Sequence, residues 1–172
     1  MFRSLKYFNA KLFFLGLLLS NVGSWIQLTA TAFLLYRLTG SATDLGINVA
    51  LQFLPMLFFG AWAGSLSDRH NRRRMTIMTQ SLLAVQALAI GVLDLTDVIN
   101  LPIVYVLSGL LGIVGAIDNP ARRGLVTELV APADMSNAMS LNTAVMTGSR
   151  IFGPAIAAVL VGPLGTGWLF IL

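Results

Sequence analysis

Residues 64–74 read Gly64-Ser65-Leu66-Ser67-Asp68-Arg69-His70-Asn71-Arg72-Arg73-Arg74. An acid followed by a dense basic run does not belong in hydrocarbon, where a charge at mid-bilayer costs at least ~2.5 kcal/mol. The flanks are the opposite. Residues 45–66 precede the charged stretch and residues 75–93 follow it, and neither run contains a Lys, Arg, Asp or Glu. About 20 mostly apolar residues cross the ~30 Å hydrocarbon layer as a helix. The pattern is therefore two spans joined by a short charged turn at a membrane surface.

Outward from this hairpin, further apolar runs occupy residues 12–36, 101–119 and 137–162. A sixth begins near Thr166 and stops at Leu172, too short to cross a bilayer. The sequence predicts five complete spans, the start of a sixth, and a chain that is part of a longer protein. Unpaired backbone groups are not tolerated in lipid, so each span is expected to be helical. Only 10% of the 172 residues are charged, against roughly a quarter in a soluble domain. The first run is too long for the apolar region of a signal peptide and no small-residue cleavage site follows it, so it is expected to be retained. With no cysteine, disulfides and thiolate metal sites are excluded. No cofactor is expected.

The net charge of +4 suggests a polyanion partner until its placement is considered. Arg3, Lys6, Lys11, Arg69, Arg72, Arg73, Arg74, Arg122 and Arg123 fall in alternate connections, whereas Arg37 stands on the other side near Asp44, Asp94 and Asp97. Positive residues favour the cytoplasmic side. This predicts a cytoplasmic N-terminus and no nucleic-acid role. The remaining connections are expected as turns at Thr39-Gly40-Ser41, Asp94 to Asn100 and Pro163-Leu164-Gly165. The longest, Asn119 to Ser136, mixes charge with Leu125, Val126, Leu129 and Val130, and is read as an interfacial helix or a plain loop.

Within the spans, small residues allow helices to approach closely. Gly60-x-x-x-Gly64 and the Gly109, Gly112, Gly115 series are expected to supply such faces, and Pro55 and Pro154 to bend their helices. Ser20, Ser24, Gln27 and Thr31 recur at helical spacing in span 1, with Asn21 beside them. Asn48 and Gln52 lie one turn apart in span 2. Asn142, Met146, Ser149 and Arg150 form a stripe in span 5. These stripes are read either as interhelical hydrogen bonding or as the wall of a cavity. Arg150, near the middle of its span, is a functional candidate on cost alone. His70 is read as a surface-turn residue.

The 64–74 stretch resembles the signature loop of the major facilitator superfamily, Gly-x-Leu-Ala-Asp-Arg-x-Gly-Arg-Arg/Lys. Asn71 stands at the second glycine, and asparagine tolerates the left-handed conformation such a turn could require. Span 5, Gly148 to Ala158, is similar to the antiporter motif of exporting members through Gly153-Pro154, with Ala157 and Ala158 for a later glycine pair. Gly23-Ser24-Trp25, Leu54-Pro55, Pro120-Ala121-Arg122 and Glu128-Leu129-Val130 resemble the enterobactin-exporter-like branch, which includes macrolide efflux proteins. Two positions depart from the pattern. Tyr105 stands where the superfamily has an arginine, and Ser24 where this branch often has an acid.

The resemblance implies an all-α membrane protein. This would be the N-terminal six-helix bundle of a major facilitator fold, built from inverted three-helix repeats, with its sixth helix truncated. It implies secondary active, proton-coupled efflux of an amphipathic drug or siderophore by alternating access. Its partners would be a small-molecule substrate, protons, the lipid bilayer and a missing C-terminal bundle. Its location would be the plasma (inner) membrane. Substrate-cavity candidates are Asn21, Ser24, Gln27, Thr31, Asn48, Gln52, Asn142 and Arg150. A gate is expected from Gly64, Asp68, Arg69, Arg72, Arg73 and Asp118, with Asp118 pairing Arg72 or Arg73. Import by the same superfamily and a non-transporting assembly or sensor module are the alternatives. An enzyme is disfavoured, and this bundle alone is not expected to transport.

Overall fold

The computed structural model describes residues 8–128 and 130–172. Arg3, Lys6 and Leu129, used in the charge and interface readings above, lie outside the described residues. The chain forms five long helices: α1 (Phe8–Thr39), α2 (Ala42–Arg69), α3 (Arg72–Leu95), α4 (Leu101–Glu128) and α5 (Met135–Ile171). All five are long and apolar enough to cross a membrane.

Side chains are distributed inside-out relative to a soluble bundle. Gln27, Asn48, Gln52, Thr79, Gln86 and Asp118 are buried, while Phe53, Leu57, Phe58, Trp62, Val106, Phe152 and Val159 point outward. Lipid rewards no burial of apolar side chains, so helices associate through close packing and polar contacts. α1 packs mainly against α5, α2 against α4, and α3 against α4 and the end of α5.

Four of the five packing glycines expected from the sequence do not pack. A Cβ built on Gly60 or Gly64 would meet nothing within 4 Å, and the same holds for Gly109 and Gly115. Close approach instead falls at Gly112, where a Cβ would lie 2.6 Å from the Leu51 carbonyl oxygen and 2.7 Å from that of Gln52. It falls again at Gly153, whose Cβ would overlap Trp25 Cβ. Both crossings lie beside a proline, Pro55 in α2 and Pro154 in α5. A packing glycine must sit on the face turned toward a neighbour, and a spacing pattern alone does not say which face that is.

The charged hairpin is tighter than a loop. α2 runs to Arg69 and α3 starts at Arg72, so only His70 and Asn71 lie between them. Asn71 is not left-handed, contrary to expectation: its φ is −67°, and its side chain accepts from the Arg74 N–H at 3.0 Å as the N-cap of α3. Asparagine serves here as a helix-starting acceptor. His70 is exposed at this turn, its Nδ1 3.0 Å from the Leu66 carbonyl oxygen. At the other end, Gly40 adopts φ 61° and Ser41 caps α2, as the Thr39-Gly40-Ser41 turn required.

The largest departure is α4. It passes through Pro120 and continues to Glu128, so the Asn119–Ser136 segment is mostly helix rather than an interfacial element. A short 3-10 turn, Pro132–Asp134, leads into α5. The apolar residues that suggested an interface have another role. Val126 and Val130 are buried in a cluster with Ala10, Phe14, Leu17 and Ala138. α5 breaks at Gly165, where φ is 77° and ψ 173°. Its last turns fold back along α3, placing Gly167 beside Asp94 and Leu95, and Ile171 beside Gly91.

Candidate functional site

A cavity of about 300 Å³ opens between α1, α2, α4 and α5 near the middle of the helices. α1 contributes Asn21, Ser24, Trp25, Gln27 and Leu28, and α2 contributes Gln52, Phe53 and Met56. α4 contributes Gly112, Gly115, Asp118, Asn119, Arg122 and Arg123, and α5 contributes Met146 and Arg150. The volume is at the lower end of small-molecule sites, which span roughly 300–1,000 Å³.

Five of the eight cavity candidates line it: Asn21, Ser24, Gln27, Gln52 and Arg150. Asn142 lines a smaller hollow of about 20 Å³ with Asn21, Arg122 and Met146, and its amide donates to Met146 Sδ at 3.6 Å. Thr31 and Asn48 face elsewhere. Thr31 is buried and donates to the Gln27 carbonyl oxygen one turn back. Asn48 is buried, with an Oδ1 that has no hydrogen-bond partner among the described residues.

The span 1 stripe thus divides between packing and cavity. Ser20 donates to Gln80 Oε1 at 2.6 Å, and Gln27 donates to Gln86 Oε1 at 2.7 Å. Gln86 in turn donates to the Leu107 carbonyl oxygen at 3.1 Å. These bonds tie α1 to α3 and α3 to α4. Ser24 donates back to the Ser20 carbonyl oxygen and faces the cavity with Asn21.

Asp118 departs from its expected partners. Its Oδ1 accepts from Thr79 Oγ1 at 2.6 Å, and its Oδ2 from Gln80 Nε2 at 2.9 Å and Arg122 Nη2 at 2.5 Å. Arg122 is one helical turn away on α4 and reaches Asp118 without crossing between helices. Arg72 pairs instead with Asp68 at 2.7 Å and donates to the Gly124 carbonyl oxygen at 3.3 Å. A Cβ on Gly124 would fall within 2.7 Å of the Arg72 guanidinium carbon, so the absence of a side chain lets Arg72 lie on α4.

Arg150 lies with its guanidinium carbon 5.5 Å from the centre of the Trp25 ring, a cation–π contact between α5 and α1. At the end remote from the charged hairpin, Arg37 on α1 pairs with buried Asp94 on α3, which also accepts from Thr166 Oγ1 at 2.5 Å. Tyr105, at the departure from the superfamily pattern, donates to Asp44 Oδ1 at 2.8 Å and joins α4 to the start of α2.

Sequence reading missed two groups. Thr79, Gln80 and Gln86 of α3 hold the network together; Thr79 and Gln86 are seven residues apart, a spacing that marks one helical face. Arg122 and Arg123 were read as topology-setting loop charges, but the continuation of α4 makes them cavity residues.

Residues 5–172 match the family model described as Transmembrane secretion effector. The chain is 26% identical over 153 residues to the Staphyloferrin A transporter of Staphylococcus aureus, covering 88% of this chain and 38% of that one. It is 31% identical to the multidrug efflux pump Tap of Mycolicibacterium fortuitum (86% and 37% covered). It is 29% identical to Macrolide efflux protein A of Streptococcus pyogenes (90% and 39%). The chain spans about two fifths of the length of these relatives. No solved structure matches it significantly. The match over nearly the whole chain, together with five membrane-length helices around a cavity near their middle, places the protein in the transmembrane secretion effector family of major facilitator transporters.

Proposed function

We propose that the chain is the N-terminal bundle of a proton-coupled exporter that moves an amphipathic small molecule by alternating access. The observation that carries this reading is the cavity, at the depth where transporters of this architecture bind substrate between two bundles. The names of two relatives, a multidrug efflux pump and a macrolide efflux protein, favour efflux over import.

Helix pairing supports inverted three-helix repeats. If helices 1–3 correspond to helices 4–6, exchanging the repeats turns the α1–α5 pair into α4–α2. These are the two most extensive pairs. The segment after Gly165, as the start of a sixth helix, packs on α3, a pair that the same exchange maps onto itself. Asp118 is the one carboxylate lining the cavity among the described residues, and we assign it the coupling proton. The gate residues Gly64, Asp68, Arg69, Arg72 and Arg73 act through Arg72 on α4, one layer away from Asp118 and its partners.

The test uses efflux-deficient cells expressing the full-length carrier. A fluorescent amphipathic dye should accumulate less than in vector controls, and a protonophore should abolish the difference. Equal accumulation in both would remove the transport assignment. Residues 1–172 alone, reconstituted with a pH gradient, should give leak only.

Orientation is proposed with the Asp68–Arg74 hairpin and the N-terminus on the cytoplasmic side of the plasma (inner) membrane, from the placement of basic residues. Residues 1–172 contain no cysteine, so in a carrier freed of any cysteine elsewhere a single substitution here reports cleanly. In the full-length carrier, His70→Cys and Thr96→Cys, both at exposed sites, should label from opposite sides, with Thr96→Cys reached from outside. Labelling of His70→Cys by an impermeant reagent in intact cells would reverse the assignment.

A further inference from the structure

We infer that the cavity selects an organic anion, a carboxylate- or sulfonate-bearing amphiphile, over a cation of the same size. The inference rests on the reading of the cavity as the transport site and adds the charge of what it takes. Among the described residues its ionisable lining consists of Arg122, Arg123, Arg150 and Asp118, three arginines against one carboxylate.

The carboxylate is already engaged. Both Asp118 oxygens accept hydrogen bonds from within the bundle, and one of them holds Arg122. A cation entering the cavity would meet a neutralised acid and two further positive charges. An anion would meet Arg123 and Arg150, which form no ion pair with a carboxylate among the described residues.

The geometry of Arg150 favours the same choice. Its guanidinium carbon lies 5.5 Å from the centre of the Trp25 ring, a contact made through the ring face that consumes no N–H donor, and a guanidinium edge can grip a carboxylate in bidentate fashion. Arg150 lies near the middle of α5 between Met135 and the break at Gly165. At that depth the surrounding dielectric is low and a charge–charge interaction is several times stronger than at a surface. A charge there is also expensive to maintain without a function. Leu28, Phe53, Met56 and Met146 supply an apolar wall for the body of the ligand.

Three probes that share one aromatic body separate charge from shape: p-nitrophenylbutyrate, p-nitrophenylbutanol and p-nitrophenylbutylammonium. Binding to the full-length carrier in phosphatidylcholine nanodiscs, which carry no net charge, is read by quenching of Trp25, with any tryptophan outside residues 1–172 replaced by Phe. Trp62 and Trp168, both exposed, are replaced by Phe to remove their signal. The butyrate should bind saturably and about ten-fold more tightly than the ammonium, a modest share of what one well-placed charge supplies. Arg150→Gln should cut that preference to about two-fold or less, and Arg150→Lys should keep part of it, since the charge remains but the bidentate edge is lost. Arg123→Gln gives a second, smaller reduction and serves if Arg150→Gln loses its helical circular dichroism. Equal or tighter binding of the ammonium overturns the anion assignment and leaves the transport site standing. Saturable binding of none of the three overturns the transport site and the anion assignment together.

Discussion

A chain carrying Gly153→Ala unfolds at a markedly lower temperature than the parent, by the equivalent of about 1–3 kcal/mol, the usual range for overpacking. The new methyl group would overlap Trp25 Cβ, and it would lie 3.2 Å from the Val22 carbonyl oxygen and 3.4 Å from the Ile26 nitrogen. Backbone atoms cannot rotate aside as a flexible side chain can. α1 and α5 must therefore separate at their closest crossing, and between helices in lipid that contact is itself the attraction. Separation also draws Trp25 away from Arg150. The matched control is Gly60→Ala, where nothing lies within 4 Å. Alanine there removes glycine's backbone entropy cost of roughly 0.5–1 kcal/mol and adds no clash, so stability should hold or rise. Thermal unfolding of both variants in the same nanodiscs decides the matter, and equal midpoints would mean that the α1–α5 crossing is not tight.

Asp118→Leu should cost about 3 kcal/mol of bundle stability, the low end of the range for removing one partner of a buried ion pair. The low end applies because the Arg122 side chain keeps 16% of its surface exposed and can turn toward the cavity. The loss comes from Gln80 and Arg122, which lose their carboxylate acceptor, whereas the Thr79 hydroxyl can fall back on the Met75 carbonyl oxygen at 2.9 Å. The signature is non-additivity. Asp118→Leu combined with Arg122→Leu should be less destabilised than Asp118→Leu alone, since the stranded charge is gone. If the two losses simply add, Asp118 and Arg122 are not coupled and the network is not what holds α1, α3 and α4 together at this level.

How far the sequence reaches differs between these two sites. Gly153-Pro154 was marked in advance by its motif, and its place against α1 agrees with that reading. Asp118 was singled out as well, but for a partner across the bundle. The partner it has, Arg122, lies beyond the end of the apolar run at residue 119. The arginines after that run were therefore read as connection charges, and only the continuation of α4 to Glu128 placed them on the cavity wall. The α3 residues Thr79, Gln80 and Gln86 went unremarked because isolated polar groups in a span more often make local hydrogen bonds than carry a network.

The amino-acid sequence by itself determined that the chain forms five helices long and apolar enough to cross a membrane, where most of the turns between them fall and to which family it belongs. Hydrocarbon enforces these features residue by residue: a span must be apolar for its full length, its backbone must be paired within it, and charge must collect at its ends. The tertiary structure alone decided which way each helix turns about its axis. The polar positions of α1 mark a stripe without fixing that rotation, and neighbouring helices send Ser20 to α3, turn Asn21 and Ser24 to the cavity, and place Gln27 where it both bonds α3 and lines the cavity. The same rotation leaves Gly60 and Gly64 in open space and brings Gly112 and Gly153 into contact. Periodicity records a stripe, and only the packed neighbours determine what that stripe faces.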